Sequence, residues 1–263
     1  MKNTKITMEE IVKVAITQGD INGVGYEVLL KTFANKAFFN YCVPIVYGSP
    51  KVLAYYKKVL GLEKLPHNTI RHVTEAKPKQ INVIDCNAET IKVELGQATQ
   101  EGGSAALEAL ERAVNDLKSG LLSILVTAPI NKDTIQAENF NFPGHTEYLQ
   151  ERFGVEDTLM LMVQDNLRVA VVAGHLPVSE ISQQITKEKV GQKLRLLNET
   201  LRYNFGLTKP KIAVLGLNPH AGDNGLLGKE DLEIIQPVLE EAKKDGIVAM
   251  GPYPADGFFG SGH

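Results

Sequence analysis

Two apolar runs, Arg168-Val-Ala-Val-Val-Ala and Lys211-Ile-Ala-Val-Leu-Gly-Leu, flank a segment in which Val190, Leu194, Leu197 and Leu201 recur at three- and four-residue steps. That step is the signature of an amphipathic helix, so the stretch reads as strand, helix, strand. Such a unit has parallel strands and a right-handed crossover, which turns both strand carboxyl ends to one edge of a sheet. The chain is therefore expected to be α/β, with ligands bound at that edge. Both runs end on a histidine: His175 in Ala-Gly-His-Leu-Pro and His220 in Leu-Asn-Pro-His-Ala-Gly. A single histidine just past a strand is commonly only a polar loop residue. Two at equivalent ends of one unit would lie side by side, and neutral imidazole is a common metal ligand, so a shared metal site is the sharper reading.

Earlier in the chain, residues 11–17 suit a buried strand and open into Gln18-Gly-Asp-Ile-Asn-Gly-Val-Gly-Tyr-Glu, followed by a helix over 27–33. Gly19, Gly23 and Gly25 permit close backbone approach, and a helix N-terminus favours anions. Their spacing fits neither the dinucleotide fingerprint nor the phosphate loop, so a tight strand-to-helix turn explains them as well as a ligand does. A strand at 43–47, a helix at 50–60 with proline in its first turn, and a short strand at 82–85 follow. His67 and His72 lie in a polar stretch without a partner motif and read as solvated. Residues 99–119 form a helix ended by Gly120. Leu121-Leu-Ser-Ile-Leu-Val-Thr-Ala-Pro, apolar on both faces, reads as the central buried parallel strand. Lys132, just beyond it, is a candidate for holding an acidic group, although lysine is commonly a solvated loop residue.

In Asn141-Phe-Pro-Gly-His-Thr-Glu-Tyr the expected helix N-cap is Thr146, with His145 beside it. A histidine, a hydroxyl and free amides would converge there on an anionic ligand. Strands at 158–163 and 167–172 should pair through a turn at Asp165-Asn166. Beyond His220 a loop leads to a helix over 230–244, and Asp223 is placed to support a metal-bound imidazole from outside the ligand shell. Residues 251–263 read as a loop.

With 263 residues the chain suffices for one large α/β domain or two smaller ones. A formal charge of −3 without a basic run or Trp provides no footprint for nucleic acid. Cys42 and Cys86 follow no metal or redox spacing, and the start Met1-Lys-Asn-Thr-Lys has no signal-peptide core. No apolar run approaches the ~20 residues that span a bilayer. The expectation is a cytoplasmic protein without a membrane segment.

Six motifs, taken in order, resemble the 4-hydroxythreonine-4-phosphate dehydrogenase family of vitamin B6 biosynthesis. They are Asp20 with its glycine-rich turn, Thr127-Ala-Pro-Ile-Asn-Lys, Pro143-Gly-His-Thr-Glu, His175-Leu-Pro, Leu217-Asn-Pro-His-Ala-Gly and Gly251-Pro-Tyr-Pro-Ala-Asp. The resemblance implies two α/β/α domains of the isocitrate/isopropylmalate dehydrogenase-like type, divided near 1–128 and 129–263, and a homodimer. It implies that 4-phosphooxy-L-threonine loses a hydride to NAD or NADP and then carbon dioxide, giving 3-amino-2-oxopropyl phosphate. By motif, His145 and Thr146 correspond to substrate-binding residues. His175 and His220 correspond to two of three ligands of one divalent metal ion, Zn, Mg or Co.

The family's third histidine stands in a Tyr-His-Asp-Gln-Gly motif that this sequence lacks, so the chain is expected to be C-terminally shortened, with the last part of the fold missing. His263 is a poor substitute, since it ends a Gly-Ser-Gly run with nothing to orient its ring. Ile21-Asn22 replaces the family's usual Pro-Ala, and Tyr26 replaces its Pro, which should loosen that turn. A dehydrogenase of phosphorylated threonate or erythronate, and a non-catalytic ligand- or metal-binding fragment, are the alternative readings.

Overall fold

The computed structural model of the protein describes residues 11–86, 91–136 and 140–260. Residues 1–5, read above for a signal sequence, and His263 lie outside the described residues. The chain divides into two compact units between Glu156 and Asp157. This lies beyond the division near residue 128 drawn from the resemblance. Phe140 and Tyr148 pack with Ala106, Leu110 and Val114, which keeps the intervening segment in the first unit.

The first unit carries five parallel strands: β1 (Val12–Thr17), β2 (Cys42–Gly48), β3 (His67–Ile70), β4 (Ile81–Asp85) and β5 (Ile124–Thr127), in spatial order β3-β4-β2-β1-β5. Its helices are α1 (Gly25–Ala34), α2 (Pro50–Val59), α3 (Gln100–Lys118), α4 (Lys132–Ile135) and α5 (His145–Phe153). Period-two alternation sorts the strand residues between two helical layers. Val14, Ile16, Val46 and Val83 pack with Leu29, Leu30 and Phe33 of α1 and Leu53 of α2. Ala15, Ile45, Tyr47 and Ile84 face Ala109 and Ala113 of α3. Both faces of β1 and β2 are thus covered over residues 14–16 and 43–47, which is why those stretches are continuously apolar.

The expectation of a central strand at 121–129 is overturned. β5 pairs only with β1 among the described strands, and Ile124 and Val126 are 45% and 48% exposed. Leu122, one of the residues that gave the run its buried look, is itself buried, but it precedes the strand. β3 was not anticipated, because His67-Asn-Thr-Ile is mostly polar. Its ladder to β4 runs His67↔Ile81 through Ile70↔Ile84.

The second unit contains a hairpin of β6 (Leu161–Gln164) and β7 (Leu167–Ala170), turning as expected at Asp165-Asn166, with Asp165 at φ 47°. After α6 (Ile181–Gln184) comes α7 (Lys187–Tyr203), whose Thr186 side chain accepts from the Lys189 amide and starts the helix. β8 (Lys211–Leu215) pairs in parallel with β9 (Val248–Tyr253) across α8 (Gln236–Lys244), and a short α9 (Ala255–Phe258) follows. Val190, Leu194 and Leu201 of α7 pack with Ile212, Ile235, Val238 and Leu239, so the helical periodicity read from sequence is the buried stripe.

Two expectations change in this unit. The two histidine-ended runs are not neighbours in one sheet: β7 pairs with β6, and the crossover partner of β8 is β9. Residues 251–253 belong to β9 rather than to a loop. A register shift between Ala213 and Leu215 accommodates the Gly251-Pro252 step, proline being admitted to strands at edges and bulges.

Candidate functional site

In the first unit the glycine-rich turn is built into the scaffold. Gln18, at the end of β1, is fully buried. Its Nε2 donates to the Ala105 carbonyl at 2.9 Å, and its Oε1 accepts from the Ser49 amide at 2.9 Å and the Tyr26 hydroxyl at 2.8 Å. One side chain therefore ties β1 to α1, α3 and the start of α2. Gly19 stands at φ 66°, and a Cβ there would come within 2.3 Å of the Pro129 carbonyl oxygen. The Asp20 amide donates to that same oxygen at 2.9 Å. The turn is not loosened by Asn22: its Nδ2 donates to Gln97 O and Thr99 Oγ1, and its Oδ1 accepts from the Glu94 amide at 2.7 Å. Burial pushes the Tyr26 hydroxyl up and keeps it a neutral donor. Lys132 is exposed on α4.

The local start of α5 differs from expectation. Its N-cap is Gly144, with no side-chain cap, so His145 is the first helical residue and Thr146 the second. The helix begins at the glycine because an extended backbone there, φ −180°, leads directly into the first turn. The opening amides consequently have no capping side chain, the arrangement that receives anionic or carbonyl oxygens. His145 Nε2 is buried and has no hydrogen-bond partner among the described residues, and burial holds the imidazole below its ordinary pKa. A neutral ring with an unsatisfied nitrogen at a helix start is suited to a polar ligand atom. Tyr148, one turn on, was missed by sequence reasoning. Its hydroxyl is likewise buried without a described partner, and its ring packs 5.3 Å from Phe140 and 5.4 Å from Phe142. Aromatic residues in Asn141-Phe-Pro-Gly-His-Thr-Glu-Tyr read simply as core, which conceals the orphaned oxygen.

In the second unit, His175 is exposed at φ 58°, beyond the end of β7. His220 begins a run of five left-handed residues, with φ of 55°, 53°, 80°, 43° and 55° from His220 to Asn224. Gly222 takes this conformation freely and Asp223 and Asn224 tolerate it, but Ala221 costs roughly 1–2 kcal/mol there. A strained run of this kind persists only where surrounding contacts impose it.

The turn lines an open cleft of about 320 Å³ together with Gln236, Pro252 and Pro254. His220 Nδ1 lies 3.2 Å from Asp256 Oδ2. A carboxylate against Nδ1 favours the proton there and leaves the Nε2 lone pair for a ligand, which is the usual support of a metal-binding imidazole. Asp256, rather than the anticipated Asp223, is the carboxylate beside the ring; Asp223 lines the same cleft. The donor chemistry and orientation of His220 thus fit one nitrogen ligand of a divalent ion. Among the described residues no group of three His, Cys, Asp or Glu is assembled that could hold a metal.

The model of the pyridoxal phosphate biosynthetic protein PdxA family matches residues 40–263. A 4-hydroxythreonine-4-phosphate dehydrogenase of Bacteroides thetaiotaomicron is 49% identical over 256 residues, covering 97% of this chain and 70% of the relative. A putative D-threonate 4-phosphate dehydrogenase of Oceanobacillus iheyensis is 34% identical over 249 residues, covering 94% and 75%. The crystal structure of a 4-hydroxythreonine-4-phosphate dehydrogenase from Burkholderia phymatum superposes with a TM-score of 0.82 at 33% identity, covering 95% of this chain and 76% of that one. The α/β architecture with its parallel sheet is thereby shared with solved relatives, and the chain belongs to the PdxA family.

Proposed function

We propose that this chain is a dehydrogenase that oxidises 4-phosphooxy-L-threonine, with NAD or NADP as hydride acceptor, in pyridoxal phosphate biosynthesis. The observation that carries the reading is the 49% identity to the Bacteroides relative across nearly the whole chain. The expected sequence is loss of hydride from the substrate's secondary alcohol, then loss of carbon dioxide from the β-keto acid, leaving 3-amino-2-oxopropyl phosphate. A divalent ion, Zn, Mg or Co, with His175 and His220 among its ligands, would supply the Lewis acidity that favours both the alkoxide and the carbonyl.

The chain's own residues serve binding and orientation. His145 offers a neutral imidazole nitrogen, and the uncapped start of α5, with Thr146 in its first turn, offers amide and hydroxyl donors to oxygens of a phosphorylated substrate. Asp256 holds the His220 ring so that Nε2 is the free donor atom. We further assign the chain to the isocitrate/isopropylmalate dehydrogenase-like architecture, a homodimeric assembly and the cytoplasm. No helix among the described residues is long and apolar enough to cross a membrane.

The Oceanobacillus relative favours a second reading, a dehydrogenase of phosphorylated threonate, at lower identity. Reduction of NAD and NADP is to be followed with 4-phosphooxy-L-threonine, phosphorylated D-threonate and phosphorylated erythronate side by side, with added divalent ion. The highest kcat/KM is expected for 4-phosphooxy-L-threonine. A higher value for either other acid would replace the proposed substrate, and calorimetric binding of the phosphorylated acid without turnover would make the chain a binding module.

A further inference from the structure

We infer that Asp231 is the positioning residue for His220: its buried carboxylate fixes the left-handed turn that presents the imidazole to the cleft. The inference rests on the metal-site reading of His220 proposed above and deepens it. Asp231 is only 1% exposed, and a carboxylate so buried must be matched by donors. Every partner it has here lies in the approach to His220. Oδ1 accepts from the Leu217 amide at 2.8 Å, and Oδ2 accepts from the Asn218 amide at 3.1 Å and from Asn218 Nδ2 at 3.0 Å. Both oxygens are engaged by main-chain and amide donors at the back of the cleft, so Asp231 acts through the turn.

The loop closes tightly around this carboxylate. A Cβ on Gly216 would fall 2.8 Å from the Ala221 Cα and 3.0 Å from Asp231 Oδ1. Asn218 Nδ2 also donates to Glu230 Oε2 at 2.8 Å, which holds that carboxyl below its usual range and fastens the incoming strand to the segment before α8. Asp231 opens a π-helical turn, Asp231–Ile235, that runs into α8, and Ile235, Val238 and Leu239 bury that element in the core of the second unit. The rigidity of the core is thus handed through one carboxylate to Leu217 and Asn218, then to the five left-handed residues, and finally to the His220–Asp256 pair. Gly222, Asp223 and Asn224 tolerate a left-handed backbone, but nothing local accounts for it at Ala221. The Asp231 clamp supplies an external reason for it.

The test uses the full chain and Asp231→Asn, which keeps the shape and one acceptor oxygen but sets an NH2 group against an N–H donor. The first readout needs no metal. Long-range 1H–15N correlation of the His220 ring should show the proton on Nδ1 in the wild-type chain and a shift toward Nε2–H in Asp231→Asn. The second readout is Co2+ binding, where the variant should lose roughly 10–100-fold in affinity, the range typical of residues that orient a metal ligand, and its visible Co2+ bands should change. A purely structural role would lower the melting temperature and leave the tautomer and the Co2+ bands unchanged.

Asn218→Ala, which removes the side-chain bonds to Asp231 and Glu230 but keeps the Leu217 and Asn218 main-chain donors to Asp231, is the second variant and decides the matter if Asp231→Asn does not fold; it should shift both readouts in the same direction by less. Wild-type ring signals and Co2+ affinity in the folded variants would overturn the assignment, as would a wild-type His220 without the Nδ1 proton. His220→Ala separates the two claims. Unchanged Co2+ binding in that variant would remove the metal reading, while the ring signals still decide whether Asp231 positions His220.

Discussion

His145 shows how far a single residue can be read from sequence and where that reading stops. Gly-His-Thr ahead of an apolar repeat marks a helix start with a polar ring at its mouth, and α5 begins there. Which atom would be left without a partner is set by packing around α5, not by the motif. Asp231 escaped because its contacts with the Leu217 and Asn218 amides are set by how the chain folds back before α8, and Asp256, although it ends the Gly251-Pro-Tyr-Pro-Ala-Asp motif, carried no sign there that it would lie beside His220. Burial of His145 has a measurable consequence. A histidine held below its ordinary pKa binds fewer protons folded than unfolded, so its contribution to stability is complete above the unfolded value of about 6.5. The contribution declines as the pH falls from there through the lowered folded value and then levels off. His67 is shifted the same way by burial and by Lys57, so it is the comparison with His145→Asn that isolates the effect. Urea midpoints should show the wild-type chain more favoured over His145→Asn at pH 8 than at pH 5. A difference independent of pH would mean that the ring is solvated.

Elements with strong period were legible, and those with weak or misleading period were not. α3 and α7 stand where apolar residues repeat at helical spacing behind Thr99 and Thr186, both of which cap through their side chains. β3 escaped because four mostly polar residues carry no pattern. β9 escaped because Gly251, Pro252 and Pro254 signal a loop unless a pairing strand is known. β5 was seen as a strand but placed wrongly, since an apolar run does not say whether a neighbour lies on one side or on two. Close contact between elements leaves a sharper mark. A Cβ at Gly103 in α3 would meet the Thr134 carbonyl oxygen of α4 at 2.0 Å and its carbon at 2.4 Å, both main-chain atoms that cannot swing aside. In an isolated helix Gly→Ala would stabilise by about 1 kcal/mol. Overpacking costs typically about 1–3 kcal/mol and more where backbone must move, so Gly103→Ala should be destabilising despite the better propensity. Thr186→Ala, which removes only a cap, should lose about 1 kcal/mol. Denaturant unfolding of both variants checks the order. A gain in Gly103→Ala would show that α3 and α4 do not approach as closely as described.

For the whole molecule, the decisive fact is that there are two cores. The described residues up to Glu156 surround the five-stranded sheet, and those from Asp157 onward surround α7 and α8. Length left one α/β body or two open, and the resemblance implied two with the division near residue 128; nothing in residues 129–156 says that Phe140 and Tyr148 will fold back onto α3. The division bears on how a ligand would act. His175 and His220 both belong to the second unit, so a divalent ion held by them, as proposed, would stabilise that unit directly. A ligand at 100 times its dissociation constant stabilises the state that binds it by about 2.7 kcal/mol, or roughly 100-fold in the population of the open form. Amide hydrogen exchange resolves such effects unit by unit, because local and subglobal openings carry their own free energies. Saturating Co2+ should therefore slow exchange of the core amides of α7, α8, β8 and β9 by up to that factor, while those of β1, β2 and α3 remain unchanged. Equal slowing in both units would mean that the two cores open as one, and no slowing in the second unit would remove His175 and His220 as metal ligands.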